Sequence, residues 1–175
     1  MKLTHRMFRT LAALGAAAVT TLAAAQDARP GASAFDRFKA LTGEWIDVEG
    51  AAGPKDAVLA TYRLTGGGSA VVETLFPGTQ HEMTTIYHRD GNDMVLTHYC
   101  AGGNQPRMRA RTVNGNTVVF EFDGGTNFDP ARDSHMHNAT IEFLSKDEIR
   151  AEWRSWDKGQ PAPHNPRFRL RRKNS

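Results

Sequence analysis

Seven histidines and one cysteine are the groups in this chain best suited to chemistry near neutral pH, because imidazole titrates there and a thiolate is a nucleophile. His98 and Cys100 lie in the run His98-Tyr99-Cys100-Ala101-Gly102-Gly103-Asn104-Gln105-Pro106-Arg107. If Met94 and Leu96 face a core, strand alternation sends His98 and Cys100 the same way. Gly102 and Gly103 permit a sharp bend, and Asn104 and Gln105 offer amide donors and acceptors beside it. A second group, Asp133-Ser134-His135-Met136-His137, enters a stretch in which His137 shares parity with Ile141 and Phe143. His137 is therefore expected to project inward near the same mouth.

Several chemistries use such groups. His98 with His135 or His137 supplies imidazoles for a transition metal, with Glu73, Glu82 or Glu121 as carboxylates, but the ligands are scattered and lack zinc-type spacing. His98 and Cys100 stand at i and i+2 of one strand face, about 6 to 7 Å apart at Cβ. A nucleophile and its base need about 2.6–3.2 Å and a third group to orient the base. His98 and His137 would also serve as an acid/base pair. Arg107, Arg109 and Arg111 share one face, which reads as a solvated surface. In the reverse register Arg109 would turn inward and clamp a carboxylate. Gly66-Gly67-Gly68 lacks the following Gly-Lys-Ser/Thr of a phosphate loop.

The elements that must place these groups are short. Phe35, Phe38 and Leu41 mark one apolar face of a helix over 32–41 with Ser33 as its cap. After it the period falls to two. Strands are predicted at 43–49, 57–65, 69–76, 81–89, 94–100, 107–113, 117–123, 137–144, 149–156 and 167–171. Turn signals separate them, among them Pro77-Gly78, Asp90-Gly91-Asn92 and Asn114-Gly115, the last a strong hairpin signal. Val118, Phe120 and Phe122 share one face, as do Ile149, Ala151 and Trp153, and Phe168 and Leu170, with charged residues between them. The tail from Arg167 to Lys173 thus reads as a last strand with one wet face. Ten such strands in an open sheet would leave edges and one bare apolar face. An all-β antiparallel meander barrel with a short N-terminal helix removes both, and a two-sheet sandwich is the competing arrangement.

The order short helix, then Leu41-Thr42-Gly43-Glu44-Trp45, then a hairpin meander resembles the calycin barrels, which include lipocalins, fatty-acid-binding proteins and haem-binding nitrobindins. The stretch Thr97 to Ala110, THYCAGGNQPRMRA, is most similar to secreted bacterial lipocalin-like proteins. The resemblance covers about residues 35 to 172 and implies that Gly43 and Trp45 form the barrel base. Nitrobindins extend the Gly-x-Trp element with further glycines, which this chain lacks. Their iron-binding histidine would correspond to His164.

Residues 1–25 carry Lys2, Arg6 and Arg9, then a small apolar run to Ala23-Ala24-Ala25, the pattern of a cleavable signal peptide. They imply a periplasmic or secreted protein, a leader over 26–33 and one domain over 34–173. No Arg-Arg pair precedes the apolar run, which favours export of an unfolded chain. Of 22 Lys and Arg, three lie in this segment, and 19 Asp and Glu balance the rest. That balance gives no footprint for nucleic acid, and a lone cysteine permits no intrachain disulfide. Cys100 is expected as a small buried hydrophobe.

The expected function is binding of a small apolar or amphiphilic molecule by a monomer or homodimer. No bound cofactor and no stable membrane insertion after cleavage are expected. A structural or protein-interaction barrel and a His-dependent enzyme or haem or metal protein are the alternatives. Candidate ligand contacts are His98, Cys100, Asn104, Arg109, Phe120, His137 and Trp153. Tyr62, Leu64, Ile86, Leu96, Met108, Phe122 and Ile141 complete the candidate walls.

Overall fold

The computed structural model describes residues 30–50, 53–54 and 56–173. The expected signal peptide and the first half of the expected leader, residues 26–29, lie outside these residues. The first element is helix α1 (Pro30–Lys39). Proline suits a first helical turn, where its missing N–H is not needed. The helix therefore starts inside the expected leader, and Ser33 is a helical residue rather than its cap.

Eleven strands follow: β1 (Gly43–Asp47), β2 (Val58–Thr65), β3 (Ala70–Leu75), β4 (Met83–Asp90), β5 (Asp93–Tyr99), β6 (Gln105–Asn114), β7 (Thr117–Thr126), β8 (His135–Ser145), β9 (Glu148–Asp157), β10 (Gln160–Pro161) and β11 (Arg167–Arg172). Neighbours pair antiparallel from β1 through β9, and β9 pairs with β11, which returns to β1. The result is a closed ten-strand meander barrel. The two-residue β10 is an extra hairpin arm on the end of β9. Closure leaves no long unpaired edge, so ladder amides that an open sheet would expose are satisfied.

Helix α1 plugs one end. Ala34, Phe35, Phe38 and Leu41 are buried along one face, and the Phe38 ring meets Tyr87, Phe120 and Phe143 at 4.6, 5.9 and 5.3 Å. Trp45 is wholly buried beside it and donates its indole N–H to Leu41 O at 2.7 Å. Arg172 completes this base. Its guanidinium lies 4.6 Å over the Trp45 ring and donates to Ala40 O and Thr42 O at 2.8 and 2.6 Å. One cation thus caps the carbonyls at the helix C-terminus, where positive charge is favoured. Gly43 has φ of 131°, and a Cβ there would approach the same guanidinium at 3.1 Å.

The opposite end carries the loops around residues 76–82, 100–104, 127–134 and 158–166. No helix among the described residues covers it. That end is where the barrel is hollow.

Candidate functional site

Alternation decides what lines the interior. On β3 the inward set is Val71, Glu73 and Leu75, and all three are buried. One acid thus stands in an otherwise apolar row. Cross-strand register carries the row onward: Tyr62 faces Glu73, Glu73 faces Thr85, and Thr85 faces His98. Strands of a closed barrel tilt against its axis, so such a row climbs. It starts at Tyr62, whose ring packs 6.1 Å from Trp45 in the base, and ends at His98 below the open mouth.

The row is hydrogen-bonded along its length. Tyr62 OH donates to Glu73 Oε1 at 2.6 Å, and Tyr87 OH donates to Glu73 Oε2 at 2.8 Å. Thr85 also hydrogen-bonds the Glu73 carboxyl, and Thr85 Oγ1 lies 2.9 Å from His98 Nδ1. Burial pushes the Glu73 carboxyl above its ordinary range, and the three hydroxyls pull it partly back. Tyr62 and Tyr87 are raised well above an ordinary phenol by burial, then by the charge of Glu73. His98 is lowered to about 4 by burial, so its ring is neutral near pH 7. The imidazole leans on Trp153, with ring centroids 4.9 Å apart.

Above His98 lies a cavity of about 470 Å³ lined by Leu75, Phe76, Met83, His98, Cys100, Met136, Trp153, His164, Pro166 and Phe168. Its volume falls within the ~300–1,000 Å³ of small-molecule sites, and its make-up, apolar walls with a few polar groups, is also theirs. Phe76 holds φ of 52°, a strained conformation for a bulky residue. It is kept there by Phe76 N–H donating to Leu59 O at 2.8 Å and by its ring packing edge-on to Phe168 at 6.1 Å. The loop bearing His164 is tied to β9, because the Ser155 hydroxyl donates to His164 O and Trp153 N–H donates to Pro166 O. A groove of similar volume lies beside β5, β6 and β7. Its walls include the Arg107–Asp123 ion pair and glycines on the barrel's outer side.

The sequence-derived candidates divide. His98, Cys100 and Trp153 line the cavity together. Asn104 is buried beside the mouth and donates to Ser134 O at 2.8 Å, and its Oδ1 is the one buried side-chain polar atom without a partner among the described residues. It is not part of the cavity wall. Phe120 belongs to the solid half of the barrel, packed on Phe38 and Tyr87.

His137 does not reach the cavity, contrary to its parity. The β8–β9 register shifts between Met136 and Asn138, and Met136 takes the wall position. His137 instead stacks between Phe122 and Trp156 at 4.6 and 3.9 Å and lies 2.9 Å from His135 Nε2. Burial first, then the neighbouring His135, lower it to about 4. Arg109 lies on the outer face, bonded to Asp90, Asp93 and Asp123 at 2.8, 3.0 and 3.3 Å. Asp90 holds its guanidinium firmly charged and is itself lowered in return. Ile86 also faces outward, since Met83, Thr85 and Tyr87 are the inward set of β4.

Leu75, Phe76, Met83 and Met136 were not expected at the site, and Thr85 was missed. Tyr87 is the signal for Thr85, because two residues apart on a strand they share a face. Among the described residues no group of three or more His, Cys, Asp and Glu side chains could hold a metal ion. Haem fits the cavity poorly: His164 is solvent-exposed, and no Lys or Arg lines the walls to meet two propionates.

No protein-family model matches the chain, and no curated protein is similar to it. The closed ten-strand antiparallel barrel with one short helix is consistent with a calycin-like fold in general.

Proposed function

We propose that this chain is an exported binding protein whose barrel takes one small, largely apolar molecule in the cavity above His98. The observation that carries this reading is the cavity itself. The same interior is packed solid from Trp45 through Phe120 yet hollow above the polar row, with Leu75, Trp153 and Phe168 as dry walls. A ligand there would be held mainly by burial of apolar area, worth about 25 cal/mol per Å² before the costs of association. His98 supplies the one buried polar contact.

Native mass analysis of protein recovered from the periplasm tests this reading. A retained organic mass is the expected result, and its displacement should change Trp153 fluorescence. An absorbance band near 400 nm would indicate haem instead. The His98, Thr85 and Glu73 chain also has the parts of a proton relay. A turnover abolished by replacing His98 would move the reading from carriage to catalysis.

A further inference from the structure

The buried row fixes more than the position of His98. Thr85 Oγ carries one hydrogen and can also accept. Glu73, its partner across the ladder, receives both phenol protons and is the acceptor at the centre of the network. With its one hydrogen given into the Glu73 and Tyr87 cluster, Thr85 Oγ is left to accept from His98 Nδ1–H. A neutral imidazole carries a single N–H, so once Nδ1 holds it, Nε2 is a bare lone pair. No protein group among the described residues pairs with Nε2, and the ring lines the cavity.

We propose that His98 presents an unprotonated Nε2 at the cavity floor, so that the site takes a neutral amphiphile through a hydroxyl-type donor and disfavours carboxylate ligands. The inference rests on the cavity being a ligand site. His98 stays neutral near pH 7. The other titratable groups of the wall are Cys100 and His164, and no Lys or Arg lines it. A buried carboxylate would meet a second acceptor at Nε2, with the Glu73 carboxyl beneath it, and would lose its hydration without a partner. A hydroxyl would donate to Nε2 and rest its apolar body on Trp153, Phe168 and Leu75.

Calorimetric titration of the purified protein with 1-naphthol, its methyl ether and 1-naphthoate near pH 7 separates the outcomes. The ether is the more apolar of the neutral pair, so a preference for the alcohol cannot come from burial. We expect the alcohol to bind roughly tenfold more tightly than the ether, the worth of one net hydrogen bond, and the carboxylate most weakly. Thr85→Val, which removes the relay oxygen away from the cavity wall, should erase the alcohol preference while leaving ether affinity unchanged. His98→Phe should also erase the alcohol preference, and circular dichroism of both variants checks their fold. Nitrogen-detected spectra should show His98 as the Nδ1–H tautomer. An Nε2–H tautomer, equal affinities for alcohol and ether, or tightest binding of the carboxylate would each overturn the inference and leave the cavity as a ligand site. Failure of all three probes would overturn both.

Discussion

Replacing His98 by phenylalanine tests how dry the floor of the cavity is, independently of any ligand. The imidazole is 2 % exposed, and burial lowers it from the ordinary 6.5 to about 4. In the unfolded chain it takes a proton below about pH 6.5, whereas in the folded barrel it resists until about pH 4. Stability carried by this group is therefore complete above pH 6.5 and is lost as the pH falls toward 4. The displacement corresponds to about 3 kcal/mol. Glu73, raised by burial, acts with the opposite sign, since a folded state that holds its proton more tightly gains stability as the pH falls. His137 acts with the same sign as His98. Both effects are common to the parent and the variant and largely cancel in the difference between them.

Phenylalanine keeps a flat ring against Trp153, so the variant should fold. It leaves Thr85 without one partner, at about 1–3 kcal/mol. Urea unfolding at about pH 7 and about pH 4 should show the parent losing roughly 3 kcal/mol more than the variant over that interval. Parallel losses would mean that His98 is already solvated in the folded barrel. The dry floor, and with it the tautomer argument, would then be wrong.

Arg172→Ala should lower stability by about 2–4 kcal/mol in urea melts, because carbonyls of the helix end lose their donor and the Trp45 face loses its cation. Arg172→Lys should recover less than half, since one ammonium cannot span Ala40 O and Thr42 O as a planar fork does; full recovery would refute the capping role. Met136→Trp should narrow the cavity from its wall and cut affinity for any bound probe by more than about tenfold, with the melting temperature within a few degrees of the parent. Retained affinity would place the ligand elsewhere. Phe76→Gly should relieve about 1 kcal/mol of backbone strain yet strip the ring from Phe168. A small change in melting temperature and a several-fold loss of affinity are expected, and unchanged affinity would put that ring outside the binding wall.

Most of the fold was legible because alternation and turn chemistry are local. All ten long strands fall within a few residues of their expected limits, and the tight hairpin expected at Asn114-Gly115 turns one residue later, over Gly115-Asn116, because Asn114 still pairs with Thr117. Closure was inferred from the edge argument, and the β9–β11–β1 pairings supply it. Site geometry was less legible where one residue changes parity. The register shift at His137 exchanges it for Met136 on the cavity wall, and alternation alone cannot anticipate a bulge. Ile86 and Tyr87 are adjacent apolar residues on β4, so composition does not say which faces inward. The structure selects Tyr87, and this choice brings Thr85 into line with Glu73 and His98. Arg109 had two possible faces, and the carboxylates of Asp90, Asp93 and Asp123 outside the barrel settle which one it takes.

The polar row is hard to explain as a device for stability. Taking a carboxylate out of water costs several kcal/mol, and the hydrogen-bond partners of Glu73 are hydroxyls rather than a cation. Val71 and Leu75, its neighbours on the same inward face, show that apolar side chains pack in this interior without difficulty. An apolar residue in place of Glu73, with phenylalanines for Tyr62 and Tyr87, would preserve shape and remove the desolvation cost. What such a core would lose is direction. Glu73 is the group that orders the protons of Tyr62, Tyr87 and Thr85, and through Thr85 it sets which nitrogen of His98 faces the cavity. The row also marks the boundary between the solid half of the barrel and the hollow half. A buried acid at that boundary, linked by one hydroxyl to a neutral imidazole on the cavity floor, accounts for its energetic cost as orientation of a binding group.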